Sequence, residues 1–396
     1  MTALTGALAG FGGIFWVIAG RLQSATAIGV AGTLVSAIIV LCFVAQIGID
    51  RTLLASLPHS DRPAADFARA VAVVGVLGYL LGVGFATALP YLAPETAEAL
   101  SGWRPWCFGL LVAGTAVNLT TDVAFLSLRR VQDNLLVTGI GMGILKCALP
   151  FALGSWGAFG LAASVGFASL AAAVACVLIV LVRLPRPSRP PGGGWSPAFR
   201  TERRLGFSSY LSSLIDFVPI LLLPIILVNA AGAAENAVFF IAFQIVLMLN
   251  ASAYAIGNSA FAEAARVPDR AGHALRHSAK VMAVIILGGT AVTVLAARLM
   301  LLIFGAEYAE TGVPTLRILA VGAIAVATAY WAITALRVRH RLMASVAVAA
   351  VSAGGTTLLA WLLADRGAEA AALAWLIGHG CGALLGLVLV RWGGRR

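Results

Sequence analysis

Five ionisable side chains lie inside long apolar runs of this sequence: Asp122, Lys146, Asp216, Arg298 and Arg317. If those runs cross a membrane, a charge near the bilayer centre costs at least ~2.5 kcal/mol unless it has a partner or a polar cavity. A cationic group in such a cavity attracts anions such as phosphate, and an acidic group attracts a cation or a proton. Arg298 and Asp122 lie close enough to the ends of their runs to reach the interface, whereas the other three favour a cavity.

Two of the acidic residues have informative neighbours. Pro219 cannot donate a hydrogen bond to the carbonyl of Ile215, so a helix through Asp216 should kink beside that carboxylate. A bent helix that carries a charge suggests a gate or an ion-coupling element, and a salt bridge between two helices is the alternative. Asn118 precedes Asp122 by one helical turn, so both side chains should face the same side of their helix.

The elements that must position these residues are membrane-spanning helices. Hydrophobic residues make up 61% of the 396 residues, charged residues make up 11%, and the mean hydropathy is +0.97. A soluble protein carries about a quarter charged residues, so we predict an all-α, polytopic membrane protein. Twelve stretches reach the length that a bilayer requires. They are 3–20, 27–47, 67–90, 105–127, 134–153, 158–182, 206–229, 235–258, 278–303, 313–335, 342–363 and 369–390.

The distribution of basic residues predicts the orientation of these helices. The formal net charge is +11 and arises mostly from arginine. If the N-terminus is cytoplasmic, the outer loops contain only three basic residues, Arg21, Arg104 and Arg366, and nearly all the others fall in cytoplasmic segments. Because positive residues resist translocation, we expect both termini in the cytoplasm.

A segment rich in proline and glycine divides the chain into two halves. Residues 183–205 contain five prolines and three consecutive glycines, which disfavour a regular helix. Six predicted spans precede this segment and six follow it. We therefore predict an N-terminal lobe at 1–182, a cytoplasmic linker at 183–205 and a C-terminal lobe at 206–396. The equal span order suggests parallel repeats related by an axis along the membrane normal.

The sequence lacks the motifs of common enzyme classes. HExxH, Walker A, GxSxG and GxGxxG patterns are absent, so we predict no enzymatic activity and no cofactor. The five cysteines lie in apolar segments without a CxxC pair, which indicates neither a metal site nor disulfides. Because the arginines lie between apolar runs, as in cytoplasmic loops, we expect no nucleic-acid partner. Any transport would be driven by an ion gradient or by removal of the product.

Several stretches of the sequence resemble one known family. They are DFVPILLLP from Asp216, the run from Ala234 to Arg266, IFGAEYAETGVPTLRILA from Ile303, AGRLQSATAIGVAGTL from Ala19 and GIDRTLLASLP from Gly48. The most specific pieces are Phe304, Gly305 and Tyr308, followed by the pair Leu316 and Arg317. Together they resemble the polysaccharide and oligosaccharide flippase branch of the MOP (multidrug/oligosaccharidyl-lipid/polysaccharide) exporters.

The resemblance implies two six-helix lobes around a central cavity, in a bacterial plasma membrane. The implied substrate is an oligosaccharide linked to polyprenyl pyrophosphate, moved by alternating access for the synthesis of cell-surface polysaccharide. Membrane lipids, and a polysaccharide polymerase or glycosyltransferase, are the implied partners. Pyrophosphate needs basic and polar ligands, and the candidates are Lys146, Arg317, Arg21 and Asn118. The candidates for ion coupling or gating are Asp216, Pro219 and Asp122.

Two alternatives remain open at this point. A cation-coupled multidrug extruder of the same fold would carry acidic residues within its N-terminal spans. In those spans this chain has Asp122 near one end, together with the cationic Lys146, which favours an anionic substrate. The second alternative is a membrane scaffold that holds polysaccharide synthases without transporting anything.

Overall fold

A computed structural model describes residues 2–184, 194–266 and 270–392, without the side chains of residues 2–5, 262, 265 and 266, of Asp216 and of some of its neighbours on the same helix. The described residues form helices and short connections, and no strand occurs among them. The chain divides into two units, Met1–Leu214 and Ile215–Arg396. The prediction of an all-α membrane protein is confirmed.

Unit 1 is built from seven main helices and the first part of an eighth. They are α1 (Thr2–Leu22), α2 (Ala25–Gln46), α3 (Ile49–Ser56), α4 (Pro63–Leu92), α5 (Arg104–Ser127), α6 (Met142–Leu153), α7 (Gly157–Arg183) and α8 (Pro197–Ala231). A short helix, Val131–Asn134, and a π-helical segment, Leu135–Gly141, lead into α6 without a break.

Unit 2 contains the rest of α8 and six further helices. They are α9 (Ala233–Arg266), α10 (Ala271–Leu295), α11 (Ala297–Phe304), α12 (Val313–Val338), α13 (Leu342–Leu363) and α14 (Ala368–Trp392). A short helix, Ala306–Thr311, precedes α12.

Nine described helical stretches are long and apolar enough to cross a bilayer, and two shorter apolar helices, Gly6–Leu22 and Val218–Ala231, accompany them. One of the nine, Val131–Arg183, is an uninterrupted run that contains both predicted spans 134–153 and 158–182. Every predicted span therefore has a helical counterpart, which agrees with about twelve transmembrane helices.

The predicted linker differs from the structure at its C-terminal side. Residues 185–193 lie outside the described residues, but α8 begins at Pro197, inside the segment 183–205 that was expected to lack a regular helix. The prediction was wrong there because proline is well tolerated in the first turn of a helix, where its missing N–H is not needed. The helix is anchored in unit 1, where Phe199 belongs to the buried core with Phe67 and Phe125.

Gly48 allows α8 to approach α2 and α3 closely. Its φ of +81° is in the left-handed region, and a Cβ at this position would lie 2.8 Å from the Cα of Phe207 on α8. Any other residue would be strained both by the backbone conformation and by this contact. The GIDRTLL segment, whose first residue is Gly48, therefore serves a packing function.

Candidate functional site

A polar cluster lies within the spans of unit 1, around Asp122. Asp122 is half-buried on α5, and its carboxylate faces Asn134 and Thr138 on the neighbouring segment. Its Oδ1 atom is buried and has no hydrogen-bond partner among the described residues, and the same is true of Oδ1 of Asn134. Two buried oxygens without donors are costly in an apolar surrounding, so the cluster is suited to a cation or a proton.

The π-helical segment Leu135–Gly141 helps to place this cluster. A π turn closes i→i+5 hydrogen bonds, and such turns frequently mark functional sites in helices. Thr138, which is 1% exposed, is part of this segment, and its Oγ1 lies 3.7 Å from Sγ of Cys176 on α7. The cluster is therefore shared by α5, the short helix that ends at Asn134, the π-helical segment and α7.

Asn118 extends the cluster by one turn along α5. Its Nδ2 donates to Sδ of Met142 at 3.9 Å, and the hydroxyl of Ser169 on α7 donates to the same sulfur at 3.7 Å. Oδ1 of Asn118 is buried without a partner among the described residues. As their spacing predicted, Asn118 and Asp122 both face the helix that follows α5.

Lys146 lies on α6, one turn beyond Met142, and is half-buried against α1. Its Nζ is 5.7 Å from the centroid of the Phe15 ring. A Cβ added to Gly12, on the same helix as Phe15, would lie 3.8 Å from this Nζ. The ring provides a modest cation–π attraction. No ion pair of Lys146 occurs among the described residues. The ammonium group therefore lacks the partner that a charge in a membrane span needs.

The α1 helix presents a row of glycines. A Cβ added to Gly6, Gly10 or Gly13 would meet no described atom within 4 Å. This side of α1 therefore has space that larger side chains would fill, on the helix that packs against Lys146.

The other basic candidates lie at helix ends. Arg317, on the second turn of α12, is exposed, and its Nε donates to the backbone oxygen of Val294 at 3.2 Å. Val294 is the penultimate residue of α10, whose last carbonyls have no partner within the helix. Arg21 is exposed in the last turn of α1, and Arg298 is exposed at the start of α11. The structure brings Arg317 next to a helix terminus, while Lys146 lies in the middle of a span.

The kink predicted at Asp216 stays a prediction. Pro219 and Pro224 are buried in α8, which is helical through both prolines. The side chain of Asp216 lies outside the described residues. Its predicted role in ion coupling or gating stays a prediction.

Sequence reasoning missed two polar side chains within the spans, the buried Gln46 and the half-buried His379. Nε2 of Gln46, at the end of α2, donates to the backbone oxygen of Ala116 at 2.8 Å, and the hydroxyl of Thr120 donates to Oε1 of Gln46 at 3.2 Å. His379 on α14 lies with its Nδ1 3.0 Å from the oxygen of Trp375. The only sequence signal for Gln46 and for His379 is that each is a single hydrogen-bonding side chain within an apolar run.

Comparisons with known proteins show a shared fold. Neither a family model nor a curated protein matches this chain. A solved structure of a multidrug resistance MATE family transporter of the MOP superfamily, in an inward-facing conformation, matches with a TM-score of 0.70. Its sequence identity is 17%, and the match covers 98% of this chain and 94% of that one.

Two further solved structures are similar. The lipid II flippase MurJ, in an inward closed conformation, matches with a TM-score of 0.70 at 10% identity, over 99% of this chain and 88% of its own. A MOP superfamily transporter from Pyrococcus furiosus matches with a TM-score of 0.62 at 18% identity. The match covers 98% of this chain and 92% of that one. Its pocket is described as having reverse polarity, which suggests a different function for that protein. The predicted resemblance is thus confirmed at the level of the MOP fold, and the flippase branch is not distinguished from the MATE branch.

Proposed function

We propose that this chain is a membrane transporter that moves a polyprenyl pyrophosphate-linked oligosaccharide across the bacterial plasma membrane by alternating access. The observation that carries the proposal is Lys146, a cation inside a span without an acidic partner among the described residues. An uncompensated cation in a membrane raises the affinity of its site for anions. The fold shared with transporters and with a lipid II flippase supports the same assignment.

In this proposal Lys146 is the principal ligand of the pyrophosphate. An ammonium group makes charge-assisted hydrogen bonds to phosphate oxygens, and its flexible stem can follow a moving substrate. Arg317 and Arg21 act as secondary cationic ligands, and Asn118 as a polar one. The polyprenyl tail needs no protein site, because the surrounding lipid solvates it.

The same observation weighs against a multidrug extruder. Many multidrug substrates are cations, and a cationic site repels them. The similar protein from Pyrococcus furiosus supports the view that this fold holds pockets of different polarity. The cluster around Asp122 favours the extruder as the second candidate, because an acidic group with unpaired buried oxygens beside it suits a coupling cation. In the flippase proposal the same cluster couples transport to an ion gradient.

Reconstitution into vesicles tests the proposal. We expect a fluorescent polyprenyl pyrophosphate-linked disaccharide to cross the vesicle membrane only when the protein is present, measured by its exposure to a membrane-impermeant quencher. A cationic dye such as ethidium should not be moved under an imposed sodium or proton gradient. Movement of the dye without movement of the lipid-linked sugar would establish the extruder, and movement of neither in a folded sample would favour a scaffold.

The orientation is part of the proposal. We expect both termini in the cytoplasm. A polymerase or glycosyltransferase partner that binds the linker would be on the same side of the membrane. A reporter fused to the last residue should be active only on the cytoplasmic side. An external signal there would overturn the proposed orientation.

A further inference from the structure

A groove of about 410 Å³ lies on the surface of unit 1, and its lining residues differ from those of the polar cluster. One wall is formed by the end of α7 and the other by the segment that precedes α6. Five aliphatic side chains line it, among them Leu136, Leu178 and Val182, and two charged residues, Asp133 and Arg183, complete it. The three named aliphatic side chains are 62%, 60% and 82% exposed. A patch of this kind on a membrane span is suited to contact with lipid.

The groove is charged at one end and apolar further in. Arg183 is the last residue of α7, and Leu178 lies five residues earlier, about 7.5 Å deeper at 1.5 Å per residue. On the opposite wall Asp133 belongs to the first helical turn, and Leu136 follows one turn deeper. The two charges thus lie at the boundary of the span and the aliphatic side chains lie within it. A phospholipid has the same distribution of polar and apolar groups.

The two charges have opposite sign, which restricts the headgroup. Asp133 Oδ2 lies 3.4 Å from a guanidinium nitrogen of Arg130, with both side chains partly exposed. Such surface pairs contribute little, and a carboxylate accepts several hydrogen bonds, so Asp133 can bind a second cation. Arg183 forms no ion pair among the described residues. The open end of the groove therefore offers one site for an ammonium group and one for a phosphate.

We propose that this groove binds phosphatidylethanolamine. One acyl chain lies along the aliphatic side chains, the phosphate binds Arg183, and the primary ammonium donates to Asp133. Phosphatidylglycerol has the phosphate but no cationic group that could bind Asp133. The carboxylate of Asp133 repels the net negative charge of that lipid. Phosphatidylcholine has the charges but no N–H donor, so it forms no charge-assisted hydrogen bond with the carboxylate. The site thus prefers ethanolamine to both other headgroups. The inference does not depend on the proposed transport substrate.

Native mass spectrometry of the purified full chain in detergent tests the inference. We expect phosphatidylethanolamine to bind about fivefold more tightly than either phosphatidylcholine or phosphatidylglycerol of the same chain length, the ratio expected for one well-placed charge pair. Asp133→Asn should remove the preference over phosphatidylcholine, and Arg183→Gln should weaken binding of all three lipids. Arg391→Gln, at the end of α14, is the matched control and should change nothing.

A variant that fills the groove separates this site from general lipid contact. Leu178→Trp should abolish the preference for ethanolamine. Leu358→Trp, at a similarly exposed position on α13 (57% against 60%), should preserve it. Equal binding of the three lipids by the unmodified chain, or a preference that survives both Asp133→Asn and Leu178→Trp, would overturn the inference. Lipid binding is measured without transport. A negative result therefore contradicts this inference and does not bear on the proposed function.

Discussion

The two units use the charges of their spans differently. In unit 2, several charged side chains within or beside the spans bind helix ends. Arg317 donates to Val294 near the end of α10, and Arg339 and Arg341 donate to Val390 and Leu389 near the end of α14, at 2.7 and 2.6 Å. Glu235 accepts the backbone N–H of Ala368, the first residue of α14, at 2.8 Å. Each of these side chains satisfies a backbone group that its helix leaves without a partner.

In unit 1, Lys146 and the polar cluster lie away from helix ends, whereas Arg21 lies in the last turn of α1. Lys146 is in the middle of α6, and Asn118 is well inside α5. At such positions the backbone groups already bond within the helix, so the side chain has no backbone partner to satisfy. Asn118 and Asp122 each retain a buried oxygen without a partner among the described residues. The comparison supports the proposal that unit 1 keeps its polar groups for a substrate or an ion, whereas the four unit 2 side chains named above stabilise helix ends.

The largest expected effect follows from Lys146→Met. Methionine has nearly the same length and no charge, so it removes the proposed phosphate ligand while preserving the packing against Phe15. A charge-assisted hydrogen bond contributes about 1.5–3 kcal/mol, so we expect transport of the pyrophosphate-linked sugar to fall by about 10- to 100-fold. The measurement is the initial rate of translocation per folded molecule in vesicles.

Stability serves as the control for Lys146. Removing an unpaired charge from a membrane span should leave the melting temperature unchanged or raise it, because the cost of burying the charge disappears. Lys146→Arg should keep part of the activity, since the charge survives. A loss of stability together with normal transport per folded molecule would show that Lys146 is structural, and the contrast between the units would fail.

The next largest effect is expected for Asp122→Asn. The amide keeps the shape of the carboxylate and its contacts with Asn134 and Thr138 but removes the charge that would hold a cation. Transport driven by an imposed sodium or proton gradient should fall by about tenfold. This is the rate change that corresponds to the free energy of one hydrogen bond to a charged group. Downhill exchange without a gradient should change little. The two rates are compared in the same vesicles.

A matched variant sharpens the result for Asp122. Asp133→Asn removes a neighbouring carboxylate that lies outside the polar cluster, and it should leave the gradient dependence intact. If both variants lose the gradient response equally, the effect reflects general surface charge. In that case the ion-coupling assignment of Asp122 is wrong.

The span layout could be predicted because it depends on composition over long windows. Every predicted span has a helical counterpart, since about 20 apolar residues have few alternatives to a membrane helix. The one-turn relation of Asn118 and Asp122 was equally predictable, because helical periodicity alone determines it. The start of α8 at Pro197 was not, because proline disfavours helix interiors but is tolerated at the first turn.

The partners of the candidate residues could not be predicted. The sequence places Arg317 within a span but does not reveal that the end of α10 lies beside it. Likewise, the contact of Asn134 and Thr138 with Asp122 depends on how α5 packs against the following segment and on a π-helical turn. Such contacts are set by tertiary packing. The sequence indicated which residue types could do chemistry, and only the structure shows what surrounds them.

The smallest effect is expected for Arg317→Ala. The variant loses the hydrogen bond from Nε to Val294, so the free energy of unfolding should fall by about 1 kcal/mol. Transport per folded molecule should fall by about fivefold, less than for Lys146→Met, because a secondary ligand is lost while the principal one remains. Arg317→Lys should restore part of the transport, since charge survives, but little of the stability, since lysine lacks the planar donor group. Denaturant titration and the vesicle assay give the two quantities separately.

A loss of transport as large as that of Lys146→Met at normal stability would make Arg317 a principal ligand. The assignment of the principal substrate ligand to unit 1 would then be wrong.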